Sequence, residues 1–338
     1  REFRLVEQDD LTRDARFAFA RIERPDDLPA ADPAVIDVAL LDMNAGYANV
    51  GHDAIVAIVR DAAVELDADL ESRGRRVRVL SYAVRDRLMV PEHDTGRHRL
   101  YLGTGGPGHL DPRRNTAANG NVEIAEDPSW EAPLWTLFDA VAADPDAALY
   151  GVCHTFGLLC RWSGAAEPAL RGPEKGGAMS GVGTNVLTPQ ALEHPWFRRL
   201  ADVGTERATI PVLDSRYYDL LPTGPRVPGG ATPIAFETAR AGAGPGEALT
   251  MLEFARDPSG TPRIFAVNSH PEIGAPERVA EILATLLERG TITRAVHEQR
   301  SAMLPMLRDD RRDERLRVGR AVFSDLVRER VTRLVRAA

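Results

Sequence analysis

The stretch Asp146-Ala147-Ala148-Leu149-Tyr150-Gly151-Val152-Cys153-His154-Thr155-Phe156-Gly157-Leu158-Leu159-Cys160 decides how this chain is read. Its first half is a short apolar run, which predicts a strand over 146–153. Its second half, from Thr155 to about Ser163, is apolar with helical character. Between the two stand a glycine, a thiol and an imidazole. A small residue before a nucleophile at a strand-to-helix turn leaves that side chain exposed over the sheet edge. The helix N-terminus beside it favours a thiolate. A buried core cysteine fits the same residues, so the segment needs company.

Two further segments supply it. Ser269-His270-Pro271-Glu272 follows a strand predicted at 263–268. A carboxylate two residues from a histidine can orient the ring and keep it basic. Gly103-Thr104-Gly105-Gly106-Pro107-Gly108 follows a strand predicted at 99–103. Glycines there can aim backbone N–H groups at an oxyanion. A thiol, then His and Glu more than a hundred residues later, with a Gly-rich turn before both, resembles the class I glutamine amidotransferase superfamily. That family carries a G-G-P-G loop, a G-x-C-x-G-x-Q elbow and a late H-P-E. The resemblance runs from about residue 35 to 290. It implies Cys153 as nucleophile, His270 as general base and acid, and Glu272 as the residue orienting His270. It also implies an oxyanion hole from the N–H groups of Gly106 and His154. Leu213-Asp214-Ser215-Arg216-Tyr217-Tyr218-Asp219-Leu220-Leu221-Pro222 is similar to the family's Ser-His-x-Tyr stretch.

The departures bear on substrate. Thr155 stands where the family has its second elbow glycine, and Gly157 where it has the glutamine that helps hold substrate glutamine. The homoserine O-acyltransferases, a sister family with the same three catalytic residue types, carry a Glu-Lys before Ser-Gly-Val and a Ser-Arg-Tyr. This chain has Glu174-Lys175, Ser180-Gly181-Val182 and Ser215-Arg216-Tyr217. It has three extra residues, 176 to 178. It has Ala284 where those transferases have an arginine, and a Gly-Gly-Pro-Gly loop that theirs lack. The PfpI group, a second sister, has His directly after Cys, as Cys153-His154 does. The resemblances make Gly105, Lys175, Ser215, Arg216 and Tyr217 the expected substrate contacts.

Outside these segments, strands are expected at 35–42 and 76–82, and near 181–187, 207–214, 233–237 and 249–255. Helices are expected over 53–70, 131–143 and from Pro276 to about Glu288, with two more in 292–338. Strands alternating with helices predict a three-layer α/β/α fold with a mainly parallel, flavodoxin-like sheet. Active sites in such sheets lie beyond the carboxyl ends of strands. The expected organisation is an N-terminal arm over 1–34, a catalytic domain over 35–290 and a C-terminal helical extension over 291–338. Residues 109–130 read as a long surface loop.

Composition excludes several classes. With 338 residues, a net charge of -8 and two cysteines, the chain is neither a disulfide scaffold nor an electrostatic match for nucleic acid. No apolar run reaches the ~18 residues of a membrane span, so a cytoplasmic enzyme is expected. His93, His98 and His109 read as solvated loop histidines, with His109 bordering the Gly-rich loop. Cys160 reads as core, and neither a metal nor a cofactor is expected. Asp42 and Asn44, ending the first strand of the domain, face the same edge. The sequence thus points to an enzyme forming a Cys153 thioester with a small amide or acyl substrate. Glutamine-type amide transfer comes first, with a separate acceptor or synthetase subunit. Homoserine-type transfer from an acyl-CoA comes second, and a catalytically weak binding or regulatory subunit third. A homo-oligomer is left open.

Overall fold

The computed structural model describes residues 16–47, 49–94, 96–115, 124–171, 179–201, 208–224, 230–238, 245–273, 280, 283–284, 287–288, 294–302, 304–307 and 310–337. Lys175 lies outside them. So does much of the helix expected from Pro276, whose described residues are helical.

Twelve strands form one sheet. They are β1 (Phe17–Ile22), β2 (Val35–Asp42), β3 (Arg76–Ala83), β4 (His98–Gly103), β5 (Ala148–Val152), β6 (Ala166–Leu170), β7 (Met179–Leu187), β8 (Thr209–Arg216), β9 (Tyr218–Pro222), β10 (Thr232–Thr238), β11 (Pro245–Arg256) and β12 (Pro262–Val267). Four longer helices matter here: α1 (Val50–Glu65), α2 (Glu131–Ala143), α3 (His154–Ser163) and α4 (Asp310–Ala337).

The sheet has two halves. β1, β3, β2, β4, β5 and β12 lie side by side and parallel. Beyond β12 the order continues β11, β10, β7, β8, and every pairing is antiparallel. β9 pairs antiparallel with both β11 and β6. The expectation of a mainly parallel sheet is therefore corrected: the fold is mixed α/β. A short connection explains the switch to antiparallel pairing at β11 and β12. β11 and β12 are joined by 257–261, a turn closed by Asp257 N–H to Thr261 O at 3.0 Å. A parallel crossover needs a dozen residues or more.

Alternation along β2 sorts its side chains onto two faces. Val38 and Leu40 join an apolar cluster with Ile55 and Val59 of α1 and Phe323, Leu326 and Val327 of α4. Ala39 and Leu41 join another with Leu134 and Phe138 of α2 and Phe156 and Leu159 of α3. β2 is buried on both faces, as the middle of a parallel sheet requires.

Both ends of the chain are built onto this sheet. The stretch read as an arm supplies β1, which pairs with β3 over Phe17 to Ile22. The stretch read as a C-terminal extension buries Val322, Phe323, Leu326, Val327, Val331 and Val335 of α4. Its 28 residues form one long helix, preceded by Arg294–Ser301 and Leu304–Leu307. The described residues of 109–130 also differ from a free surface loop, because Leu110, Asn115, Ile124 and Trp130 are buried. His98 is not in a loop but on β4, buried, and its Nε2 meets Tyr82 Oη at 2.8 Å. Burial pushes its pKa down to about 4. His93 pairs with Asp144 at 2.9 Å, and His109 is 7% exposed.

Candidate active site

β4, β5 and β12 are consecutive neighbours that end at one edge. Gly103 pairs with Gly151, and Val152 pairs with Val267. The Gly-rich loop, Cys153 and the His270 segment each start one to three residues later. Register alone therefore converges three segments that are far apart in sequence.

Cys153 caps α3 with φ 48 and ψ -101. A non-glycine residue with positive φ is strained, and such strain gathers at functional sites. The turn is held by Cys153 N–H to Val267 O at 2.7 Å, and by Gly157 N–H to Cys153 O at 3.1 Å. The thiol is partly exposed, and its Sγ lies 3.8 Å from Ser215 O.

His270 is the imidazole that meets it. The ring hydrogen-bonds Cys153, and its Nδ1 meets Glu272 Oε1 at 2.8 Å. Its backbone N–H is tied to Leu213 O at 2.8 Å, across the site. Burial disfavours the imidazolium, but the Glu272 carboxylate and Cys153 outweigh burial and hold His270 well above the usual histidine range. Glu272 is fully buried. His154 plays another part. Its ring is buried away from the thiol and hydrogen-bonds the Gly106 backbone. Burial, with Arg85 and Arg161 nearby, keeps it neutral. The His154 ring thus braces the residue whose N–H is the other expected oxyanion donor. The His154 N–H opens α3, where an amide has no intrahelical partner.

The Gly-rich loop sits tightly on this frame. A Cβ on Gly105 would lie 3.0 Å from His270 Cε1 and 3.3 Å from Cys153 Cβ. A Cβ on Gly106 would overlap Met43 O. Arg85, wholly buried, strings the loop to the sheet. Its Nη1 donates to Met43 O at 2.9 Å and to Pro107 O at 2.7 Å, and its fork grips Glu126 at 2.7 and 2.8 Å. Asn44 adds a contact from Nδ2 to Thr104 Oγ1 at 3.3 Å. Asp42 is occupied by Arg21 at 2.7 Å and by Asn44 at 2.6 Å.

Thr155 is the reason the last residue of β4 and the penultimate residue of β5 are glycine. Its side chain lies over Gly103 and Gly151, where added Cβ atoms would overlap it. Its Oγ1 donates to Thr104 O at 2.8 Å, joining the elbow helix to the Gly-rich loop. Gly157 is covered by the Leu110 side chain, which would overlap any Cβ there. Gly157→Gln is therefore expected to destabilise the protein by about 1–3 kcal/mol through overpacking. Adding Leu110→Ala should recover part of that loss. A urea midpoint for Gly157→Gln equal to wild type would show that Leu110 moves aside freely.

The expected substrate contacts divide. Gly105 and the Ser215 carbonyl lie beside the thiol. Tyr217 is 42% exposed. Arg216 is buried, and its nitrogens are taken by Asp214, by Asp219 at 3.1 Å and by Glu237 at 2.5 Å. It braces β8 against β9 and β10 instead of facing the pocket. Arg171 shares Asp219 and Glu237 in the same buried network, a role the sequence did not signal. Cys160 is fully buried, and burial pushes its thiol well up.

No protein-family model matches this chain, and no curated protein matches it. Among solved structures, a glutamine amidotransferase from Thermotoga maritima is similar at 13% identity, with a TM-score of 0.48. That alignment covers 86% of this chain and 98% of that one. A ThuA-like protein from Bacteroides uniformis is similar at 8% identity and a TM-score of 0.35, over 72% of this chain and 85% of that one. No helix among the described residues is long and apolar enough to cross a membrane.

Proposed function

We propose that this protein is a cysteine-dependent acyl- or amide-transferring enzyme with Cys153, His270 and Glu272 as its catalytic triad. The observation that carries the reading is the strained Cys153 elbow facing a His270–Glu272 pair across one sheet edge. The thiol proton resides on His270, and the Cys153 thiolate attacks the substrate carbonyl. The oxyanion is held by the N–H groups of Gly106 and His154. Collapse expels the leaving group, which takes the proton back from His270. The resulting thioester passes its acyl group to water or to an acceptor, with His270 activating the incoming nucleophile.

Glutamine-type amide transfer to an acceptor on another chain is the first choice. A specific observation favours the second, acyl transfer from an acyl-CoA. Position 157 bears no side chain, and Leu110 fills its space, so α3 offers no carboxamide contact there. The two separate by product. Ammonia released from glutamine, and lost in Cys153→Ala, supports the amidase. CoA released only when an amino-acid alcohol is present supports the transferase. Neither product, with the thiol inert, supports a binding subunit.

The three-layer arrangement and the division at 34 and 290 belong to this reading. Apolar clusters with different helices support the layers. β1 and α4 pack against the catalytic sheet as part of the same body.

A further inference from the structure

Glu272 is a carboxylate with no exposure to solvent. Its Oε1 accepts from His270 Nδ1 at 2.8 Å. The other side of the same oxygen is packed against the first turn of α1. A Cβ built on Gly51 would lie 2.6 Å from Glu272 Oε1, closer than real Cβ contacts come. Gly51 is the second residue of that helix, and its N–H goes to the Asn49 cap at 2.6 Å. Its φ is not in the left-handed region, so its backbone does not require glycine. Glycine within a helix is also less favourable than alanine. What the position requires is the absence of a side chain, and what crowds the space most closely is Glu272, with the Asn49 cap oxygen next at 2.9 Å. The 16-residue helix behind Gly51 points its positive end at a buried anion.

We propose that Gly51 is a positioning residue for the reaction: it lets the N-terminus of α1 back the Glu272 carboxylate and hold it at hydrogen-bond distance from His270. The proposal rests on the triad reading given above. It assigns α1 a part in the chemistry through its backbone. A methyl group at 51 would push Glu272 off this seat. His270 would then lose part of its proton affinity, and the imidazolium would stabilise the Cys153 thiolate less.

The test is the rate of alkylation of Cys153 by iodoacetamide, followed against pH by intact mass on the full chain. Gly51→Ala is expected to be roughly tenfold slower at pH 6, with its low-pH limb moved up by about one unit. Its thermal midpoint should fall, since the methyl group meets Glu272 Oε1 and the Asn49 cap, and adding Glu272→Asp should recover part of that loss. Glu272→Asp withdraws the carboxylate by about one C–C bond, ~1.5 Å. The pair Gly51→Ala with Glu272→Asp should therefore react faster than either single variant. A Gly51→Ala profile that matches wild type overturns the proposal. So does a loss that Glu272→Asp does not relieve, because the fault then lies in the helix cap. If Gly51→Ala does not fold, recovery of folding in the double variant supports the clash with Glu272, and failure to recover overturns it. Glu272→Gln separates the two claims. If it leaves the wild-type profile unchanged, the triad reading fails; if it slows alkylation while Gly51→Ala does not, only the positioning role fails.

Discussion

Replacing His270 with alanine is expected to slow acylation of Cys153 by roughly 10²–10⁴-fold near neutral pH, the usual worth of a positioned general base. The ring contacts both partners, and its removal leaves the thiol beside Gly105 and the Ser215 carbonyl with no base. The Glu272 carboxylate would also be left buried without its partner. His154→Ala is a different lesion, because that ring holds Gly106 and not the thiol. Its low-pH limb for alkylation should stay in place while turnover falls. The two histidines are adjacent to the thiol in different senses, one in sequence and one in space. Measuring both variants against pH decides between them, and a His154→Ala profile that loses its limb would assign the base to His154.

The same pair sets a stability dependence with a definite sign. The folded state raises the His270 pKa, so it binds a proton more tightly than the unfolded chain does. That contribution is complete below the ordinary histidine value of about 6.5 and is lost as pH rises through the folded value. His270→Ala should remove this part of the pH dependence from urea unfolding.

The largest stability effect is expected at Arg85. Its guanidinium is fully buried and reaches Glu126, Met43 O and Pro107 O. Arg85→Ala leaves the Glu126 carboxylate buried beside Asn115, together with two backbone carbonyls that have lost a donor. Removing one partner of a buried pair costs about 3–5 kcal/mol. The Gly-rich loop should loosen as well, since Pro107 is one residue from Gly106. Arg85→Met with Glu126→Leu removes both charges and should regain much of the stability, because apolar replacement of a buried pair is often neutral. It should not regain acylation, as Pro107 O and Met43 O stay unheld. Equal urea midpoints for Arg85→Ala and wild type would show that water replaces the guanidinium at no cost.

Much of the site could be read in the sequence, because the deciding residues are tied to strand ends. Apolar runs 35–42, 99–103, 146–153 and 263–268 place β2, β4, β5 and β12 within a residue or two. The chemistry-bearing residues follow those ends directly. β6, Ala166–Leu170, was not legible, since it contains Pro168 and Glu167 and pairs only with β9. β1 was hidden in a polar stretch, where six residues pair at the sheet edge. Arg216 shows what sequence cannot supply. A cation next to a site motif suggests a substrate contact, but carboxylates from β8, β9 and β10, the first two buried, hold it in place. Gly51 had no signal at all, because its partner lies 221 positions away and it falls before the helix expected over 53–70.

The most direct test of the account is intact mass with peptide mapping after exposure to acyl donors: a diazoketone analogue of glutamine and a short-chain acyl-CoA, each in separate samples. The account predicts one adduct per chain with at least one donor, mapped to Cys153, absent in Cys153→Ala and sharply slowed in His270→Ala, with Cys160 unmodified. An unmodified Cys153 under both donors, or an adduct that survives Cys153→Ala, would contradict a thioester mechanism at this thiol.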